Sequence, residues 1–443
     1  MEKNETFTGI CEGYTYEGAG VVRTDDGLVF FVQGLIAGEE AELSITAMKK
    51  SYGYARIARL LKPSPHRAEP QCSVYRLCGG CQLLHMDLAE QKQFKEDKVR
   101  GCFRQNAGIE AEVLPILTAD LQSGYRNKVQ VPVQLNGGRV EMGFYQSHTN
   151  RIIPYESCLV QTDLSNRIVR SMREWIQELH CARAFRHILI KHAHHTDQAM
   201  VCMIVSQYPF QGAEKLTARL QENFPEIKSI LCIENRRSDN VILDGREILL
   251  AGQPCIEEEL LGCRFRISAR SFYQINPSAT EILYSTALRA AELTGRETVI
   301  DLYCGTGTIG ILASMHAGKV YGIEIVADAV EDARINAGIN HADNIEFFTA
   351  DAEEGASRLL KSHVRPDVVI VDPPRKGCSR NTLDAVIRMD PKRLVYVSCD
   401  PATLARDCAY MISQGWQIEM VQPVDMFPGT IHVETVVKLT HTE

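Results

Sequence analysis

Apolar and polar positions divide the chain into three regions with different periodicities. Over residues 1–62 the apolar runs are short, at 7–10, 20–23, 28–32 and 41–45, with Gly18, Asp25-Asp26-Gly27 and the stretch from Gly34 to Gly38 between them. Short strands between glycine turns predict a small β-barrel of five strands, closed or partly open. After the connector Pro63-Ser64-Pro65, the region 63–265 mixes a charged helical pattern at 88–104, another helix at 161–177, and apolar runs at 188–191, 200–205, 230–233 and 241–243. These runs predict one sheet, so 120–265 reads as an antiparallel α+β insert. From 266 to 443 short β-branched runs alternate with longer helical ones, beginning with the Asn276-Pro277 start signal of a helix over 279–293. That alternation predicts an α/β domain with a parallel sheet.

The strand ends of this third region carry the chemistry. The run 298–300 leads into Asp301-Leu302-Tyr303-Cys304-Gly305-Thr306-Gly307 and then a helix. A strand, a glycine turn and a helix bring backbone N–H groups close to a ligand. The turn starts with an acid and carries no lysine, so it serves a pyrophosphate poorly. A ligand with a ribose, an amino group and no phosphate fits better, and S-adenosylmethionine is one. Glu324 ends the next strand, where a carboxylate accepts from ribose hydroxyls. Asp351, Asp372 and Cys399 end the following three, so five such residues share the rim where ligands of open α/β sheets bind. Cys399 is placed to be a nucleophile once ionised. Asp372, before Pro373-Pro374, can accept from a ring N–H such as uracil N3. Glu434 interrupts the apolar alternation of the last strand, 431–437, and either pairs with a cation or acts as a base.

Composition adds limits. With 443 residues, 45% hydrophobic and 23% charged, the chain has the make-up of a globular protein of two or three domains. No apolar run is long enough to span a membrane, and the polar, acidic start is unlike a signal peptide, so a cytoplasmic location is expected. A net charge of −8 argues against a surface coated in basic patches and leaves local ones. Lys49, Lys50 and Arg56, interleaved with Tyr52 and Tyr54, form one candidate RNA surface, and Arg126 and Lys128 form another. Cys72, Cys78 and Cys81 fall within ten residues, and Cys158 can supply a fourth thiolate. This set suits zinc or an iron–sulfur cluster, and its spacing leaves both open. In the helix over 88–104, Phe94, Val99 and Phe103 are the apolar positions, Cys102 reads as packing, and the lysines read as a solvated face.

Taken together, these stretches resemble the bacterial RNA uracil-5-methyltransferases, those of 23S ribosomal RNA in particular, over nearly the whole chain. The resemblance rests on Cys72, Cys78, Cys81 and Cys158; on Ser271-Phe272-Tyr273-Gln274-Ile275-Asn276; on the turn from Asp301 to Gly307; on Asp372-Pro373-Pro374-Arg375-Lys376-Gly377; on Ser398 to Asp407; and on His432-Val433-Glu434. Asp400 departs from the Asn of many relatives. The resemblance implies a TRAM barrel that binds RNA, a central α+β iron–sulfur domain with a [4Fe–4S] cluster on the four cysteines, and a Rossmann-like S-adenosylmethionine-dependent domain. It implies that the helix near 88–115 packs with the catalytic domain. By the same resemblance Gln274, Tyr303, Glu324 and Asp372 bind the methyl donor, joined by Asp301, Gly305 and Asp351. Cys399 attacks C6 of the uracil, and Glu434 removes the C5 proton. The expected partner is 23S ribosomal RNA, presenting a loop or flipped uridine, with no membrane and no obligate protein partner. Transfer RNA, or a non-catalytic role in ribosome assembly, is the alternative.

Overall fold

The computed structural model describes residues 2–147 and 149–441. Strands Thr6–Tyr14, Gly20–Arg23, Val29–Val32, Glu40–Met48 and Tyr52–Lys62 close into a barrel. Its core is Val22, Phe30, Val32, Leu43 and Ile45. Gly53 is required there, because a Cβ at that position would lie 2.4 Å from the Phe30 ring. The exit from the barrel is held by Glu39, whose buried carboxylate pairs with Arg67 and accepts from Ser64 N at 3.1 Å.

The second sheet has seven strands, in the order Arg246–Gly252, Ile227–Glu234, Ala199–Val205, Phe185–His192, Lys128–Asn136, Arg139–Tyr145 and Ile152–Pro154. It is mixed rather than antiparallel. Helix Ala213–Asn223 carries the chain back, so that Ala199–Val205 and Ile227–Glu234 run parallel. The run 241–243 is not a strand. Its carbonyls at Val241 and Ile242 accept from Asn235 Nδ2, each at 2.9 Å, and the edge strand starts after them.

The third sheet has eight strands, in the order Ile345–Thr349, Lys319–Glu324, Thr298–Leu302, Val368–Val371, Arg393–Ser398, Glu434–His441, Trp416–Asp425 and Leu117–Thr118. The first five are parallel, and Glu434–His441 runs antiparallel to Arg393–Ser398. The α/β and barrel expectations are met. Two segments read as central by linear order lie on this sheet instead: Leu117–Thr118 pairs with Trp416–Asp425, and helix Leu88–Ala107 packs on helix Pro401–Ser413. Val99, Cys102 and Phe103 share an apolar core with Leu404, Cys408 and Met411. The solvated-lysine reading of that helix is corrected, since Gln91, Lys95 and Lys98 are buried.

The central region is not an iron–sulfur domain. Among the described residues no three His, Cys, Asp or Glu side chains form a group that could hold a metal ion. Among the described residues no helix is long and apolar enough to cross a membrane.

Candidate active site

One cavity of about 1230 Å³ opens at the carboxyl edge of the parallel strands. The order of the sheet explains its position. Strand Thr298–Leu302 is followed in the sheet by Lys319–Glu324 on one side and by Val368–Val371 on the other, which leaves a crevice between the loops that leave them. Asp301, Tyr303, Gly305, Glu324, Asp351, Asp372, Cys399, Gln274 and Glu434 all line it.

The glycine turn is shaped by its residues. Tyr303 has φ 65°, Gly305 54° and Gly307 79°, so three positions within five residues use the left-handed region. At Gly307 a Cβ would also sit 2.8 Å from Phe347 Cζ, whereas at Gly305 the space is open. Glu324 ties the turn to the next strand by accepting from Gly305 N at 3.1 Å and Val326 N at 2.9 Å. Asp301 is fully buried, and neither of its carboxylate oxygens has a hydrogen-bond partner among the described residues. Burial, and then the charge of Asp372, raises its pKa well above the carboxylate range. A buried acid at the cavity wall, with only the Gly310 backbone N–H near it to ease its charge, fits a ligand that carries hydroxyl and ammonium groups, as S-adenosylmethionine does. Gln274 is buried at the cavity wall. Its loop is fixed by Asn127, which donates from Nδ2 to Gln274 O and from N to Ile275 O, both at 2.9 Å. Asp351 is exposed and caps helix Ala352–Lys361 by accepting from Glu354 N at 2.8 Å.

The reactive end lies one strand further on. Cys399 follows strand Arg393–Ser398, and Ser398 is paired with Thr435, the residue after Glu434. The antiparallel register therefore brings the start of the last strand level with the end of Arg393–Ser398, which is how Glu434 comes to the rim. Glu434 is 3% exposed, and burial, then Asp372, raises its pKa far above the usual range. Burial, followed by the charges of Glu434 and Asp372, pushes the Cys399 thiol up to about 12. Burial alone brings Asp372 to about 7. Arg375 opposes these shifts at both Cys399 and Glu434. Burial therefore favours the protonated form of both groups, and Arg375 is the nearby cation that favours their ionisation.

Arg375 was not singled out as a site residue in the sequence, although it lies in a quoted motif. Its loop is moulded by a buried network. Asp407 Oδ2 accepts from Tyr396 OH at 2.7 Å and Cys378 N at 2.9 Å, and Arg406 Nη2 donates to Lys376 O at 2.9 Å. Tyr284 and Phe427 also line the cavity and carried no signal of their own in the sequence, and His432, within a quoted motif, lines it too.

Arg126 and Lys128 face this cavity, while Lys49, Lys50 and Arg56 are exposed on the barrel and are not part of its lining. Cys72, Cys78, Cys81 and Cys158 form another part of the cavity wall, but not a metal-binding group. The [4Fe–4S] centre expected at these four residues is thereby overturned. Burial raises Cys78, Cys158 and Cys81, the last to about 12, with neighbouring thiols adding to the effect. Cys78 Sγ is engaged instead by Gly80 N–H at 3.3 Å.

Against known proteins, the model of the family described as tRNA (Uracil-5-)-methyltransferase matches residues 89–442. The chain belongs to that family. Membership carries the chemistry of the uracil-5-methyltransferases, S-adenosylmethionine-dependent methyl transfer to C5 of a uridine. An uncharacterized RNA methyltransferase of Clostridium tetani is 38% identical over 100% of this chain and 97% of its own length. Another, from Bacillus cereus, is 40% identical over 100% and 98%. Among solved structures, the Pyrococcus abyssi tRNA (uracil-54, C5)-methyltransferase in complex with S-adenosyl-L-homocysteine aligns with a TM-score of 0.77 at 26% identity, covering 98% of this chain and 99% of that one.

Proposed function

We propose that this uracil-5-methyltransferase acts on a uridine of transfer RNA, with Cys399 as nucleophile and Glu434 as base. The observation that carries the reading is the convergence of Cys399, Glu434, Asp372 and Arg375 on the cavity that also contains the glycine turn. Transfer RNA is favoured over the 23S ribosomal RNA expected from the sequence. The family description names tRNA, and the solved neighbour that matches along almost its whole length is a tRNA enzyme.

The steps follow from the side chains. Gln274, Tyr303, Glu324 and Asp372, with Asp301, Gly305 and Asp351, form the donor pocket in this reading. S-adenosylmethionine supplies an electrophilic methyl group on a sulfonium and leaves as a neutral thioether. The Cys399 thiol releases its proton to solvent, the thiolate bonds to C6, and the electron pair of the C5–C6 double bond moves toward O4. C5 then bonds the methyl carbon. The ionised Glu434 carboxylate takes the C5 proton, the C5–H pair restores the C5–C6 double bond, the C6–sulfur bond breaks, and its pair returns to Cys399. Arg375 favours the ionised forms that the first and third of these steps require. A uridine stacked in a helix does not reach a thiol in a cavity, so the target is looped or flipped out.

The test is incubation of the full-length protein with labelled donor and, in parallel, unmodified tRNA and 23S ribosomal RNA transcripts, followed by mapping of 5-methyluridine. Label in tRNA, lost by at least about 10³-fold in Cys399→Ala, is expected. Label confined to the ribosomal transcript would overturn the choice of substrate, and label in neither would overturn the reading.

A further inference from the structure

Two short segments flank the reacting groups, Cys399-Asp400 and Ile431 to Glu434, and both are gripped from outside the parallel strands. Helix Leu88–Ala107 presents Gln91, Lys95 and Lys98 at successive turns of one face. Gln91 Oε1 accepts from Gly429 N at 2.9 Å, Lys95 Nζ donates to Phe427 O at 3.0 Å, and Lys98 Nζ donates to Ile431 O at 2.8 Å. These three polar side chains thus hold every second residue of the segment that leads to Glu434. The barrel joins at Lys98. Tyr16, in the turn between the first two barrel strands, lies with its ring centroid 3.7 Å from Lys98 Nζ, and its hydroxyl donates to Asp400 Oδ2 at 3.3 Å. Asp400 Oδ1 in turn accepts from Ala402 N and Thr403 N, at 2.9 and 3.0 Å, and so starts the helix after Cys399. The turn is seated closely: at Gly18, with φ +78°, a Cβ would be 2.9 Å from Ile431 Cγ2.

We propose that Tyr16 and Lys98 are positioning residues for methyl transfer, which together fix the separation of Cys399 from Glu434 and make that separation depend on the seating of the barrel. The proposal rests on the functional reading above and adds residues that touch neither substrate nor donor. Its physical basis is that a cation–π contact to a desolvated ammonium and a hydrogen bond from a charged donor are each directional, and here they share one lysine. The donor pocket is fixed by other contacts, through Asn127 and Glu324, and is left as it is.

The test compares Tyr16→Phe, Lys98→Met and Lys98→Arg with wild type in steady-state methylation, and in the rate of covalent adduct formation with 5-fluorouridine-containing RNA. A misplacement of about 1 Å costs on the order of 10²-fold in rate, so kcat is expected to fall about 10- to 100-fold in Lys98→Met and about 3- to 10-fold in Tyr16→Phe. The donor KM is expected to stay within about twofold of wild type, and Lys98→Arg to recover most of the loss, because it keeps the cation over the ring. Adduct formation is expected to slow in the same order. Wild-type kcat in both Tyr16→Phe and Lys98→Met, or a loss confined to donor KM, would overturn the proposal. Should Lys98→Met fail to fold, Tyr16→Phe alters only a part-exposed turn, and an unchanged kcat there would overturn it alone. A wild-type protein that methylates no uridine would count against the functional reading, whereas active wild type with unaffected variants counts against this proposal only.

Discussion

Replacing Lys95 with Met tests the buried frame behind the site. The side chains of Lys95 and Asp425 are both fully buried, 330 residues apart, and Lys95 Nζ donates to Asp425 Oδ1. That oxygen also accepts from Phe427 N at 3.1 Å, while Oδ2 has no partner among the described residues. Methionine fills the space of the lysine stem but leaves the carboxylate with one backbone donor and no cation. Removing one member of a buried pair costs about 3–5 kcal/mol, and replacing both by apolar residues is often close to neutral. Lys95→Met is therefore expected to destabilise by about 3 kcal/mol or more, and Lys95→Met with Asp425→Leu to recover most of it, giving a coupling of about 2–4 kcal/mol. Urea unfolding followed by tryptophan fluorescence suits the measurement, because buried Trp416 begins the strand that ends at Asp425. A single variant within about 0.5 kcal/mol of wild type, or a cycle without coupling, would refute the reasoning.

Other substitutions separate stability from function. Asp372 has its pKa raised from 3.8 to about 7 by burial, so the unfolded chain ionises first and the cost to the fold accumulates between those values and is complete above the upper one. Asp372→Asn should match wild type below about pH 4, exceed it by about 2–4 kcal/mol above pH 7, and lose activity. Denaturation at pH 4 and pH 8 checks this, and an Asn variant that is less stable at pH 8 would contradict it. Gly305→Ala meets open space at φ +54°, so it should cost only about 1 kcal/mol of stability while weakening donor binding more than about tenfold. Gly307→Ala also meets Phe347 at 2.8 Å and should lose about 2–3 kcal/mol or more. Calorimetric titration with S-adenosylhomocysteine and thermal unfolding distinguish the two, and equal effects on both quantities would contradict the assignment.

The strand ends were legible because period and turn chemistry are local. The runs before Asp301, Glu324, Asp372 and Cys399 each ended in the residue that now lines the cavity. Parallel pairing in the second sheet was not legible, since it depends on where helix Ala213–Asn223 sends the chain. Nor was the burial of Gln91, Lys95 and Lys98, whose partners near residue 430 are more than 300 positions away. Lysines on a charged helix read as solvated unless those partners are known. The four cysteines illustrate the opposite error. Their spacing suited zinc or a cluster and the family resemblance chose the cluster, but spacing constrains only one dimension, and the folded positions do not make a ligand group among the described residues. Asp351 lines the same cavity, and its position as a helix N-cap accounts for an acid there on local grounds as well.

In the proposed reaction one sulfur, Cys399 Sγ, bonds to the uracil ring. Mass spectrometry of the peptide crosslinked after incubation with donor and 5-fluorouridine-substituted tRNA tests it most directly, because fluorine at C5 cannot leave as a proton and the adduct persists. A methylated fluorouridine attached at Cys399 is expected, with no adduct in Cys399→Ser. An adduct at another residue, or full turnover on unsubstituted tRNA by the Cys399→Ala protein, would contradict it.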